Sequence, residues 1–192
     1  MVDNFLNYLK DKFPINDDEL EMFKRVCTVK KLRRRQYLLQ EGDVWNKNAF
    51  VAKGVLRTYR VDEKGTEHII QFSMENWWAG DRQSYHTGLP STFNIEALED
   101  AEIVLVSKAD FDRLQIEISK FGEFTRALLE RSFIASQNRI HASISFSSEE
   151  KYADFIKTYP DITNRIPQHM IASYLGISPE TLSRIRNHMV RK

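Results

Sequence analysis

Between Lys120 and Ile144 the chain contains no proline, and beyond Gly122 no glycine. An uninterrupted helix of about 25 residues reaches roughly 38 Å at 1.5 Å per residue, too long to pack only against a small domain. Two apolar stripes run along it at helical spacing: Leu129, Phe133, Ile140 and Ile144, and beside them Phe121, Leu128, Ala135 and Ala142. One stripe can face a domain of the same chain and the other a second copy of the helix. A single-chain core helix with a wide buried face fits the same pattern.

Upstream the periodicity is different. Two short helical patterns come first, over 2–10 and 17–26, the second opening at Asp17 as N-cap. From Cys27 to about Ser107 follow short stretches bounded by turns: CTVKKLRRRQYLLQ, NAFVAKGVLRTYRV, TEHIIQFSM, FNIEAL and AEIVLVS. Residues alternate from Val55 to Val61, and turn chemistry lies at Glu41-Gly42-Asp43, Asp62-Glu63-Lys64-Gly65 and Gly88-Leu89-Pro90. This predicts an antiparallel sandwich or barrel. After Ala109 the pattern is helical to the end.

Downstream, Ser147 and Glu150 have the spacing of a capping box, and Tyr152, Phe155, Ile156 and Tyr159 form the apolar side of a helix ending before Pro160. A second helix begins near Pro167, buries Met170, Ile171, Tyr174 and Leu175, and ends at Gly176. Ser178 and Pro179 then start a third. Helix, short glycine turn and helix is the pattern of a helix-turn-helix. On the third helix Leu182, Ile185 and Met189 fall on one side, and Glu180, Ser183, Arg184 and Asn187 on the other. The first set is expected to pack and the second to be presented. Arg suits guanine O6 and N7, Glu the N4 of cytosine, and Asn the N6 and N7 of adenine. Thr181 and the first backbone N–H groups can meet phosphate, with Arg186, Arg191 and Lys192 adding charge nearby. The competing reading is that Glu180 and Arg184, four apart, only form a surface ion pair.

Charge supports DNA contact over that pair. Residues 1–150 hold 21 Lys and Arg against 24 Asp and Glu, whereas 151–192 hold 7 against 3. The basic excess is therefore confined to the end that carries the helix-turn-helix. No apolar run approaches the roughly 20 residues of a membrane span, and MVDNFLNYLKDKF lacks a signal-peptide cleavage pattern, so a cytoplasmic protein with no membrane partner is expected. Cys27 is the only cysteine, which excludes an internal disulfide, a Cys-rich zinc site and a cysteine-ligated iron–sulfur cluster within one chain.

The segment IPQHMIASYLGISPETLSRIRNHM resembles the DNA-binding segment of the Crp/Fnr (catabolite activator) family, in the form found in Bacteroidetes-type bacteria. The stretches EGDVWNKNAFVAKGVLRTYRVDEKGTEHIIQF and ENWWAGDRQSYHTGLPSTFNIEALED resemble that family's cyclic-nucleotide-binding-like jelly roll. The resemblance implies an α+β chain. Its parts would be an effector barrel with flanking helices over 1–118, a dimerisation helix over 119–146, and a helix-turn-helix without a complete wing over 147–192. It implies a homodimeric, non-enzymatic transcription regulator whose partner is double-stranded DNA carrying an inverted repeat. By resemblance, Glu180 and Arg184 match the base-reading acid and base, and Ser178 and Thr181 match phosphate-contacting positions. Gln168 replaces a phosphate-contacting arginine, and Pro179 stands where many members carry a further base-reading arginine.

The effector site departs from the family further. Its cyclic-nucleotide binders use a Gly-Glu pair for the ribose and an Arg-Ser or Arg-Thr pair for the cyclic phosphate. The matching positions here are Gly80-Asp81 and Ser91-Thr92, with Arg82 as a stand-in of weaker claim. Without the bidentate, permanently charged arginine, cAMP and cGMP are expected to bind weakly or not at all, by a loss on the order of 1.5–3 kcal/mol. No cofactor is expected, and any small-molecule effector is unspecified. A cyclic-nucleotide-responsive sensor that does not read DNA is the alternative.

Other chemistry is thin. The five histidines, His68, His86, His141, His169 and His188, show no metal-ligand spacing, which argues against a cupin-type metalloenzyme on the barrel. Arg33-Arg34-Arg35 reads as a solvated barrel edge. Of Trp77 and Trp78, one is expected in the core, since adjacent strand residues point to opposite faces.

Overall fold

A computed structural model of the chain describes residues 2–190. Internal contacts divide it into two units: the chain up to Arg60 together with Gln71–Leu129, and Val61–Ile70 together with the chain from Glu130 on.

The first unit begins with α1 (Val2–Lys12) and α2 (Asp17–Val26). The N-cap of α2 is Asn16, one residue before the expected Asp17. Its extended backbone lets Asn16 Oδ1 accept the Glu19 N–H at 2.9 Å, while the Glu19 carboxylate accepts the Asn16 N–H at 2.9 Å. Eight strands follow: β1 (Thr28–Leu32), β2 (Tyr37–Leu39), β3 (Lys47–Lys53), β4 (Leu56–Val61), β5 (Glu67–Ser73), β6 (Trp78–Ala79), β7 (Asn94–Ala97) and β8 (Ala101–Ser107). They form two four-stranded sheets in the orders β1-β8-β3-β6 and β2-β7-β4-β5. Thr28 pairs antiparallel with Leu105, and Leu56 with Ala97. The sequence expectation of an antiparallel jelly roll is met. Two of the strand-like stretches split at turns, at Arg33–Gln36 and at Gly54, where the chain passes from one sheet to the other.

Alternation along the strands sorts side chains between two cores. Leu38, Leu39, Val51, Leu56, Ile95, Ile103 and Leu105 fill the space between the sheets. The other face of β3 and β8, through Phe50, Val104 and Val106, meets α1, α2, α4 (Lys108–Glu117) and the start of α5 (Ser119–Ser145). Phe5, Phe23, Phe50 and Phe121 are at most 1% exposed and pack as an aromatic cluster, with Phe5 and Phe50 centroids 4.9 Å apart. Each contributes roughly 1.5–3 kcal/mol of apolar burial. Trp78 packs against this cluster, edge-on to Phe5, Phe50 and Phe111, and is the core tryptophan of the pair; Trp77 is half-buried.

The second unit contains the remainder of α5, then α6 (Ser148–Thr158), a 3-10 turn (Ile162–Asn164), α7 (Gln168–Leu175) and α8 (Pro179–Val190). Ser147 caps α6 through the expected box with Glu150. Tyr152, Phe155, Ile162, Ile166, Ile171, Ala172, Leu182 and Ile185 are its buried centre. The tip of the β4–β5 hairpin belongs to this unit.

Candidate nucleic-acid interface

The turn between α7 and α8 follows from three residues. Gly176 takes the left-handed conformation, φ 67°, which lets Ile177 N–H reach back to the Ala172 carbonyl at 3.1 Å and Gly176 N–H to Ser173 at 3.2 Å. A side chain at 176 would strain that turn. Ser178 then caps α8, its Oγ accepting the Thr181 N–H at 3.2 Å and donating to Thr181 Oγ1 at 3.2 Å. Thr181 is half-buried.

Leu182 and Ile185 are 1% and 3% exposed and anchor α8 to α6 and α7. Met189, expected on that packed side, is instead exposed: one turn beyond Ile185 the helix has run past the small core formed by α6 and α7. Glu180, Ser183, Arg184 and Asn187 are all exposed and, with Pro179 and His188, line one open, shallow depression. His188 was not singled out by its sequence context. Among the described residues Arg184 has no carboxylate partner, so the surface ion pair with Glu180 is not formed and the guanidinium is available to donate. The carboxyl of Glu180 is held below its ordinary pKa first by its own backbone N–H, at a helix start where negative charge is favoured. Gln168 opens α7 half-buried, with its amide oxygen shielded and unpartnered. Arg186 is exposed; Arg191 and Lys192 lie outside the described residues.

On α5 only Phe121 and Thr125 are buried. The stripe of Leu129, Phe133, Ile140 and Ile144 is exposed, at 45, 64, 54 and 78%, with Ile134 beside it at 57%. Among the described residues nothing covers this stripe, which is not the wide buried face of a single-chain core helix.

Of the expected effector positions, Asp81 and Ser91 are bonded to each other within the fold, whereas Arg82 and Thr92 are exposed. Asp81, 5% exposed, caps α3 (Arg82–Thr87): its Oδ1 accepts the N–H groups of Gln83 and Ser84 at 2.8 and 3.2 Å, and its Oδ2 accepts the hydroxyl of Ser91 at 2.7 Å. Ser91 is itself buried and its Oγ also accepts the Phe93 N–H at 3.0 Å. Gly80 has φ 151°, and a Cβ there would sit 2.4 Å from Trp45 Nε1. Arg82 is exposed, donating to His86 and lying 5.1 Å from the Tyr85 ring, and Thr92 is exposed. A further pair of buried charges lies elsewhere in the barrel: Arg57 on β4 donates to Glu96 on β7, both under 8% exposed, with the guanidinium 4.1 Å from the Tyr59 ring. That pair was not foreseen, because burial of two strand charges against each other depends on register.

Arg33, Arg34 and Arg35 are exposed at the β1–β2 turn, Arg35 with φ 69°. Among the described residues no three His, Cys, Asp or Glu side chains converge as a metal site. Burial pushes the Cys27 thiol up to about 12, and a lone protonated thiol does not fit a cysteine-ligated cluster. No described helix is long and apolar enough to cross a membrane.

The profile of the cyclic nucleotide-binding domain family matches residues 29–117. The anaerobic regulatory protein of Haemophilus influenzae is 25% identical over 185 residues, which cover 90% of this chain and 71% of that protein. The fumarate and nitrate reduction regulatory protein of Vibrio cholerae is 24% identical over 190 residues, covering 90% and 73%. FixK2 from Bradyrhizobium japonicum superposes with a TM-score of 0.75 at 17% identity, covering 86% of this chain and 85% of that structure. A Crp/Fnr-family regulator from Eubacterium rectale gives 0.69 at 17%, covering 94% and 88%.

Proposed function

We propose that the chain is a transcription regulator of the Crp/Fnr type, a homodimer that reads an inverted repeat in double-stranded DNA rather than catalysing a reaction; the family match to its barrel and the likeness to anaerobic and Crp/Fnr regulators support this reading. Residues 1–118 form the effector domain, 119–146 the dimerisation helix and 147–192 the reader. Two copies of α5 pair through Leu129, Phe133, Ile140 and Ile144, whose exposure in one chain is what a paired helix requires. The two copies of α8 then enter successive major grooves about 34 Å apart.

In each groove Arg184 pairs with guanine, Glu180 accepts from cytosine, and Ser183 and Asn187 contact neighbouring bases. Ser178, Thr181 and Gln168 meet phosphate and set register, not sequence. The observation that carries this reading is the uncovered polar face of α8, on which Glu180 and Arg184 stand close together without pairing to each other. The barrel does not respond to a cyclic nucleotide, because Asp81 and Ser91 already satisfy each other. Its effector, if it has one, is of another chemistry, and its place of work is the cytoplasm.

Selection from random double-stranded DNA tests the proposal. An enriched inverted repeat with half-sites about 10 base pairs apart, bound with affinity that falls steeply with salt, supports it. No enrichment and no salt slope would leave a sensor that does not read DNA.

A further inference from the structure

Between Glu130 and Ser145, the side chains of α5 are all exposed except those of Arg139 and Ala142. Arg139 is the anchor. Its guanidinium donates to the Ile70 carbonyl through Nη1, its Nη2 lies 3.4 Å from the carbonyls of both Ile69 and Tyr174, and Cζ stands 4.1 Å over the Tyr174 ring. Beside it Ser173 Oγ accepts the Ile69 N–H at 3.1 Å and donates to the Glu67 carbonyl at 3.1 Å. The Tyr174 hydroxyl meets that of Tyr159 at 3.2 Å, tying the ring back to the end of α6.

Two sets of backbone groups that need partners meet at this point. Strand β5 is the edge of its sheet, so one row of its N–H and C=O groups has no neighbouring strand. Tyr174 is in the last turn of α7, where carbonyls have no helical partner. Arg139 serves both with one planar fork, and Tyr174 is only two residues from Gly176 and four from the Ser178 cap of α8. We propose that Arg139 is a positioning residue for DNA reading: by clasping the end of α7 and the β5 edge together it fixes the angle at which α8 leaves the dimerisation helix. The inference rests on the dimeric reading above. With the angle fixed, a dimer holds its two copies of α8 at one spacing; with the clasp broken, the spacing is free to vary. Lysine, a point charge on a flexible stem, cannot make the same set of contacts.

The test uses the full chain and duplexes carrying the half-site that wild type selects, with the half-site separation changed by one base pair in either direction, a rotation of about 35°. Wild type is expected to lose about tenfold or more in affinity at either altered spacing, as a rigid reader must. Arg139→Ala and Arg139→Lys are expected to lose about tenfold at the best spacing and to discriminate among the three by less than about threefold. Ser173→Ala, which removes one hydroxyl from a half-exposed site, should broaden the preference in the same direction and serves if the Arg139 variants melt early. A variant that weakens all spacings by one common factor, or keeps the wild-type spacing profile, overturns the proposal. If wild type selects no DNA, the reader itself fails, and the clasp as a positioning device falls with it.

Discussion

Ser91 donates its hydroxyl hydrogen to Asp81 Oδ2 at 2.7 Å, and the other oxygen of the same carboxylate caps helix α3. The two positions that the resemblance matched to a cyclic-nucleotide site are thus bonded to each other. Both oxygens of the carboxylate are engaged and the residue is only 5% exposed, which leaves little access for a ribose, and Ser91 offers no charge for a phosphate.

Titration with cAMP or cGMP is accordingly expected to give no binding at micromolar concentration, by calorimetry or by a shift in melting temperature. Saturable micromolar binding would show that the Asp81–Ser91 pair opens.

Removing one partner leaves the other buried and short of a hydrogen bond. Ser91→Ala is expected to destabilise the barrel by about 1–3 kcal/mol, read as a fall in melting temperature of roughly 2–4 °C per kcal/mol. An unchanged melting temperature would mean that water replaces the hydroxyl.

Arg184→Ala should cost ~1–3 kcal/mol at the selected operator and relax the preference at one base position. Competition binding against duplexes varied at each position measures this. An equal loss on every sequence would reassign Arg184 to phosphate.

A charge in the exposed stripe of α5 cannot be carried into an apolar helix pair. Phe133→Asp or Ile140→Asp should turn a dimer into a monomer in sedimentation velocity, with the melting profile of the barrel retained. A dimer that survives both places the interface elsewhere.

Burial raises the Cys27 thiol to about 12, so the folded state holds the proton more tightly than the unfolded state does. That contribution to stability is complete below the usual thiol pKa near 9 and is lost as pH climbs from there toward 12. At pH 8 the folded protein is expected to react with a disulfide reagent far more slowly than after denaturation, when the thiolate fraction rises. Equal rates would mean the thiol is accessible and ionised in the fold.

Much of the architecture was legible because it is written in local chemistry. The turn at Gly176, the caps at Ser147 and Ser178, the alternation from Val55 to Val61 and the unbroken helix from Lys120 each depend on residues close in sequence. The two faces of α8 were legible for the same reason, since helical spacing alone separates Leu182 and Ile185 from Glu180 and Arg184. Met189 defeats that rule because a helix face is buried only as far as something lies against it, and what lies against it is decided by other helices.

What only tertiary structure decided has the same cause throughout. Arg57 and Glu96 are 39 residues apart and pair because two strands share a register; Arg139 meets Ile70 across 69 residues and Tyr174 across 35. No periodicity marks such partners, for an arginine on a helix surface reads as solvated until a strand edge with unmet carbonyls is brought to it. The sequence determined which segments are helix, strand and turn and which side of the last helix is polar. The fold decided which charges are buried, which effector positions are already satisfied, and which side chain holds the reader in place, because these depend on long-range register and on the unpaired backbone groups that folding brings together.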